Sequence, residues 1–395
     1  MKILQVIQRY PPSVGGSQHV CYRLSKELTK LGHEVTVVTT SSLNNRDIIG
    51  LYAKGFNLKF VNNHLPDSSI EDNIEVFRFK PLFQILTRLF NPSLFLFLCK
   101  NLDKYDLIHA HCYTTSELDY CSLIMCLKGI NKPYIITAHD VITPYKGVLG
   151  FLKDFYDKTI GRLSLNSANK LIALTTENLN QYTNLGINRE KVAVIPNGID
   201  FLEINRNKAK IKKKRLYGKN KVCLFVGRLV EYKGAQHIIM SAPKVLKKFP
   251  NTSFIFIGED QGYKNILVEE AKRLNISDKC IFKGKVSNEE LAEHYAMADV
   301  FILPSTGEGF GLTAVEAMHY GTPVILANEG GLKWILEEVG GYPINMKLNI
   351  KGQIANSILK IFTNNKRLTE SKDIKDRFDW SKVVKELERT YYEIS

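Results

Sequence analysis

A chain of 395 residues, 44% apolar and 24% charged, has the length of two to three domains and a composition that excludes wholesale disorder. Its net charge of +14 is uneven, with 22 basic and 17 acidic side chains up to residue 200 and 32 and 23 beyond it. No stretch supplies the roughly 18 apolar residues of a spanning helix: the best candidate, Pro81 to Cys99, is interrupted by Arg88, Asn91 and Pro92. Lys2 to Ile7 reads as a first strand and not as a signal peptide, because Gln5 and Gln8 cut its apolar stretch short. After Pro11 to Gly16 a helix starts at Ser17, with Val20, Leu24 and Leu28 on one face. Gly32 ends that helix, and Glu34 to Thr39 is the second strand. Residues 41–75 are polar and poorly patterned and read as a loop or excursion, whereas Phe83 to Leu98 is apolar and aromatic and reads either as a buried helix pair or as a surface for a lipid-linked or membrane-surface acceptor. Asp106 to Ala110, Tyr134 to Thr137 and Lys170 to Leu174 are further strands.

The alternation pauses near residues 200–220 and then restarts. Val222 to Val226, Ser253 to Ile257, Cys280 to Phe282, Val300 to Leu303 and Pro323 to Leu326 read as strands. Helices over Ala235 to Phe249, Ile266 to Leu274, Glu289 to Met297 and Leu312 to Tyr320 separate them, and Trp380 to Tyr392 is a final amphipathic helix. Strands alternating with helices predict α/β architecture, here as two domains with parallel sheets. Seven scattered cysteines form no CxxC pair, which points to a reducing, cytoplasmic setting.

The pause holds a block of charge. Arg206 to Lys221 carries nine Lys or Arg and no Asp or Glu. It reads either as a solvated connection or as a patch for an anionic membrane surface or acceptor, the second of which would place the protein at the inner membrane face. With Tyr217 as its one aromatic and no nucleic-acid motif nearby, nucleic acid is not expected.

Several chemistries are excluded by what is missing. No GxGxxG follows a strand, no GxxxxGK[ST] and no GxSxG occurs, and no Asp-x-Asp pair offers a seat for a divalent metal. Two loops remain. In Pro304 to Leu312 a strand runs through a Gly-rich turn into a helix, an arrangement in which backbone N–H groups and the helix start attract an anion. Glu308 and Glu316 flank it and suit sugar hydroxyls. In Val226 to Gly234, Arg228 and Lys233 share one loop at the carboxyl end of a strand, where open α/β sheets bind ligands. A guanidinium fork and an ammonium there suit a diphosphate. Weaker signals are the Gly15-Gly16 loop, His139-Asp140 at a strand end, and His109 and His111, which lack a third ligand for a metal and read as core or rim packing.

Taken in order, the Gly15-Gly16 loop, His139, Pro196-Asn197-Gly198-Ile199-Asp200, Gly227-Arg228 with Lys233-Gly234, and Glu308-x7-Glu316 resemble the retaining glycosyltransferase family four. The resemblance implies two Rossmann-like domains facing an interdomain cleft, the B-type glycosyltransferase fold. Residues 1–200 would be the acceptor-binding domain, 201–375 the nucleotide-sugar domain, and helix 376–395 would cross back onto the first. It implies that Arg228 and Lys233 meet the diphosphate, that Glu316 accepts from the ribose, and that Glu308 meets the donor sugar beside the amides of Phe310, Gly311 and Leu312. Gly16 would approach the phosphate, His139 would face the donor sugar, and Val286 would lie near the base. The implied reaction moves a hexosyl unit from a UDP-sugar, or less readily a GDP-sugar, to a glycan or lipid-linked hydroxyl, without a metal or other cofactor. A nucleotide-sugar epimerase of the same fold and a non-catalytic nucleotide-sugar-binding protein are the competing readings.

Overall fold

The structure is a computed structural model that describes residues 1–13, 15–42, 65–85, 88–139, 147–364 and 372–395. The chain divides into two compact units, Met1–Gly198 with Asp379–Ser395, and Ile199–Phe378.

Unit 1 is built on β1 (Lys2–Val6), β2 (Glu34–Thr40), β3 (Ser68–Glu71), β4 (Ile74–Phe79), β7 (Leu107–His111), β8 (Tyr134–Thr137), β9 (Lys170–Ala173) and β10 (Val192–Val194), with a separate hairpin of β5 (Phe83–Ile85) and β6 (Arg88–Phe90). The sheet order is β10-β9-β8-β7-β1-β2-β4-β3. All neighbours are parallel except β3 with β4. β1 and β7 are buried nearly throughout, as strands covered on both faces must be. Because β1 has β2 on one side and β7 on the other, chain order reverses between β1 and β7, and the loops leaving those strands diverge there.

Unit 2 is the simpler copy of the same plan. Its strands are β11 (Lys221–Val226), β12 (Thr252–Ile257), β13 (Cys280–Gly284), β14 (Val300–Leu303), β15 (Val324–Ala327) and β16 (Tyr342–Ile344). The order β13-β12-β11-β14-β15-β16 is parallel throughout, so the reversal falls between β11 and β14. This is the doubly wound order of a dinucleotide-type fold.

Two expectations change. Residues 68–79 carry a strand pair and not a loop. Phe83 to Leu98 is a hairpin followed by the Pro92–Asn101 helix, with Phe83 stacked on Phe90 at 4.8 Å. Asn91 caps that helix by accepting from Leu94 N at 3.1 Å, and Pro92 opens it.

The final helix, Trp380–Glu393, belongs to unit 1. Its inward stripe of Trp380, Val383, Val384, Leu387 and Tyr391 is buried, and Tyr391 Oη bonds His109 Nδ1 at 2.7 Å. His33 Nε2 lies 2.8 Å from Glu388, and the Trp380 indole fills the space where a Cβ on Gly198 would sit, 2.3 Å away.

The Arg206–Tyr217 block is a helix capped by Asn205. Lys212 pairs with Glu293, and Lys213 reaches Asp299 at 2.5 Å, with Lys221 3.8 Å from the same carboxylate. Three of the nine cations are therefore held by acids of their own unit, while Lys208, Lys210, Lys214, Arg215 and Lys219 stay exposed.

Candidate functional site

The two loops singled out in the second half leave adjacent strands at the reversal in unit 2. Val226 to Gly234 leaves β11 and Pro304 to Gly311 leaves β14. They interlock. Thr306 N donates to Tyr232 O at 3.0 Å. Gly234 lies so close to the second loop that a Cβ built on it would sit 2.1 Å from Pro304 O, and its φ of 78° is left-handed. Only glycine meets both demands without displacement. The loop after β12 joins the array, since Gly227 N donates to Ile257 O and Leu229 N to Glu259 O. Gly258 N donates to Gly284 O at 2.9 Å, which links the end of β13, and Val286 follows two residues on, half-buried.

This scaffold brings the charged side chains together. Lys233 Nζ donates to Glu308 Oε1, and both side chains are mostly buried, so their attraction is screened less than that of an exposed pair. Arg228 is exposed, with Nη2 donating to Tyr232 Oη at 2.6 Å and Nη1 to Gln261 Oε1 at 3.3 Å. Its planar fork is thus oriented by two neutral partners. Glu316 lies on the Leu312–His319 helix, where Tyr295 Oη donates to its Oε2 at 2.6 Å. Burial and the Glu316 carboxylate beside it push the Tyr295 phenol well above its ordinary pKa, so Tyr295 remains a donor. Tyr320 stacks on Tyr295 with ring centroids 6.0 Å apart. Gly311, at φ 106°, precedes the helix and no side chain caps it, so the first-turn amides from Leu312 face outward from the helix start. Phe310 is buried against Trp334 and Phe378, which anchors the turn.

The expected residues of the second half, Arg228, Lys233, Glu308, Phe310, Gly311, Leu312 and Glu316, thus gather around one sheet edge, with Val286 at the neighbouring strand end. Sequence reasoning missed their holders, Tyr232, Gln261 and Tyr295. Tyr232 lies inside a motif already singled out. Gln261 and Tyr295 carry no pattern apart from the helix period that placed Tyr295 in a core.

Gly16 and His139 belong to unit 1. Gly16 opens the Gly16–Lys30 helix, whose N-terminus has no side-chain cap and no acid in its first turn. Asp140 lies outside the described residues. His139 is half-buried at the end of β8 with φ 59°, an unusual conformation for a residue with a Cβ. Its Nε2 is 3.1 Å from His111 Nδ1, and His111 Nε2 is 2.5 Å from Gln5 Oε1. Burial drives His139 down to about 4, His109 to about 3 and His111 well below its ordinary value. All three are neutral at pH 7. With Gln5 Oε1 as acceptor, His111 carries its proton on Nε2, its Nδ1 accepts, and His139 Nε2 is the donor. His109 and His111 therefore pack in the core and not at its rim, as a buried network. In the same unit Glu117 is fully buried, and burial raises its carboxyl to about 7, while Arg9 is lowered to about 10 by the same cause.

The histidine shifts have a sign. A folded pKa depressed below the unfolded value gives stability that is present above about 6.5 and is lost as pH falls towards the folded value, because the unfolded chain gains protons first. Urea unfolding should show a loss of up to about 1.4 kcal/mol per pH unit per histidine between about 6.5 and 4, partly offset by Glu117, whose raised carboxyl takes its proton first in the folded chain over the same range. His139→Gln should flatten that slope; an unchanged slope would show that His139 takes up its proton as readily in the folded chain as in the unfolded one.

The family model described as glycosyl transferases group 1 matches residues 206–376, and that described as glycosyltransferase family 4 matches residues 14–201. An uncharacterized glycosyltransferase of Methanocaldococcus jannaschii is 28% identical over 99% of this chain and 98% of its own. A D-inositol 3-phosphate glycosyltransferase of Nocardia farcinica is 28% identical over 58% of this chain and 52% of its own. Among solved structures, HepE of Anabaena in complex with UDP superposes with a TM-score of 0.74 over 100% of both chains at 20% identity.

Proposed function

The chain belongs to the group 1, family 4 glycosyltransferases, and from that premise we propose that it transfers a hexosyl unit, with retention of configuration, from a nucleotide-diphosphate sugar to a hydroxyl of a glycan, glycolipid or small acceptor. UDP is the preferred nucleotide and GDP the second. The observation that carries the proposal is the meeting of Lys233 with Glu308 at the strand reversal of unit 2, with Arg228 on the same loop and an uncapped helix start beside them. HepE of the same fold, in complex with UDP-glucose, supports the choice of donor.

In this reading the Lys233–Glu308 pair is exchanged on binding. The ammonium moves to the diphosphate, and the carboxylate accepts from sugar hydroxyls. Arg228 supplies a bidentate contact to the phosphates, and Glu316, held by Tyr295, accepts from the ribose. The amides of Phe310, Gly311 and Leu312 face the donor, and the backbone at Val286 meets the base. Gly16 is assigned to the donor phosphate and His139 to the donor sugar by the family resemblance alone.

The bond from the anomeric carbon to the diphosphate oxygen breaks while the acceptor oxygen bonds to the same face. The acceptor proton passes to the leaving phosphate. Negative charge grows on that phosphate in the transition state, and fixed cations and N–H dipoles aimed at it contribute most where water is excluded. Because Arg228 and Lys233 supply that charge, activity should be unchanged by EDTA, and strict dependence on added Mn²⁺ would contradict the scheme.

Thermal unfolding with a panel of nucleotide sugars tests the donor. A ligand at a hundred times its Kd stabilises by about 2.7 kcal/mol. Failure of every UDP- and GDP-sugar to raise Tm would overturn the proposal. Incubation with the donor alone should leave its hexose unaltered; conversion to another sugar would establish the epimerase reading instead.

A further inference from the structure

Residues 148–167 of unit 1 form one helical run in which the middle turn, Asp157–Gly161, is a π-bulge. Its inner side is fully engaged. Tyr156 Oη and Ser164 Oγ donate to Asp119 at 2.9 and 2.8 Å, Leu165 is buried, and a Cβ on Gly161 would strike Tyr113. The opposite side is apolar and bare: Val148, Phe151, Phe155 and Leu163 are 74, 72, 61 and 72% exposed, with Leu152 and Ile160 also exposed. Val148, Phe151, Leu152 and Phe155 follow ordinary helical spacing. The extra residue of the bulge returns Ile160 and Leu163 to the same side.

An outward apolar stripe of this kind is costly to leave in water, so it marks a docking surface. Its occupant is identified by charge. Lys158 and Arg162 are exposed within the same run, whereas Lys153 is bonded to Asp157 at 2.6 Å, leaving Asp154 as the exposed acid. The neighbouring Ser116–Lys128 helix, packed beside 162–167, adds exposed Leu123 and Leu127 and ends in exposed Lys128. A second copy docked face to face would bring these cations together, which is repulsive. Apolar residues at a helical stripe flanked by Lys and Arg suit a helix lying in the plane of an anionic bilayer. Among the described residues no helix is long and apolar enough to cross a membrane.

We propose that the Val148–Leu163 stripe docks unit 1 onto an anionic phospholipid surface. The docking site is distinct from the basic Arg206–Tyr217 helix and does not depend on the donor reading above.

Flotation of the full chain with vesicles of phosphatidylglycerol and phosphatidylcholine tests it. Binding should be strong at low salt, weaker at high salt, and weaker on phosphatidylcholine alone. Phe151→Asp with Phe155→Asp should reduce binding about tenfold or more, and the milder Phe151→Ser with Phe155→Ser should reduce it as well. Both pairs are on the exposed face, so Tm and donor-induced stabilisation should stay at wild-type values. Lys208→Glu with Lys214→Glu, on the other basic helix, should leave binding unchanged. Three results would overturn the proposal: vesicle binding that survives the Asp pair, binding lost only in the Lys208/Lys214 variant, or a wild-type dimer by sedimentation velocity that the Asp pair dissociates.

Discussion

Lys233→Ala should lower turnover about 10²–10³-fold, the loss seen when one preorganised donor to a developing oxyanion is removed. The physical reason is that Lys233 is already placed. Its loop is locked to the neighbouring one through Thr306 and Gly234, and its ammonium rests on Glu308, from which the proposed diphosphate would take it. Little reorganisation remains at the moment of reaction, so the stabilisation is realised in the transition state. Removing the ammonium also leaves Glu308 mostly buried without its partner, which repels the approaching diphosphate. Glu308→Gln in the Lys233→Ala background should therefore recover part of the donor affinity while leaving turnover low. Product formation at saturating donor, with Kd from thermal unfolding, separates the two effects. Wild-type turnover in Lys233→Ala would remove the lysine from the diphosphate.

Which parts were legible in the sequence follows from how each element makes its signal. Buried parallel strands such as Val222 to Val226 are short apolar runs between helical periods, and they fall within a residue or so of β11 and its neighbours. Strands at or next to a sheet edge make weaker signals. β4 alternates buried Ile74 and Val76 with exposed Glu75, and its antiparallel partner is reached through Asp72 and Asn73 at φ 50° and 63°. That Asp-Asn pair was the available hairpin signal, hidden in a polar surround. β16 carries Pro343, which belongs at an edge and masks a strand. At Phe83 to Leu98, Asn91-Pro92 marked a helix start, and apolar content obscured it.

The candidate site divides in the same way. Arg228, Lys233 and Glu308 were recognisable because charged groups in Gly-containing loops at strand ends have few structural uses, and Glu316 by its spacing of eight from Glu308. Their pairing was not, because 75 residues separate Lys233 from Glu308 and only the reversal between β11 and β14 brings them together. Tyr295 and Gln261 act by holding other side chains, and such a role leaves no pattern in a sequence. The basic block had an ambiguous reading because charge density alone does not say which cations are taken; Glu293 and Asp299 decide that for Lys212 and Lys213. The exposed stripe at residues 148–163 had the same helical period as a core helix, so only burial reveals which side it faces.

Gly234→Ala tests the interlock itself. An alanine there must adopt φ 78° and must place its methyl 2.1 Å from the Pro304 carbonyl oxygen, a backbone atom that cannot turn away. Gly218 supplies the comparison within the same unit: its φ is 60°, yet an added Cβ meets nothing within 4 Å. Gly218→Ala should lose about 1–2 kcal/mol, the cost of left-handed backbone alone. Gly234→Ala should lose more, at least about 2–4 kcal/mol, because the β14 loop must also shift. That shift moves Glu308 away from Lys233, so donor-induced stabilisation should fall at least about tenfold in apparent affinity, whereas Gly218→Ala should bind donor as the wild type does. Urea unfolding and nucleotide-dependent Tm measure the two quantities separately. Equal stability losses in the two variants, with donor affinity kept in Gly234→Ala, would mean that the two loops do not hold each other and that the site is assembled by other contacts.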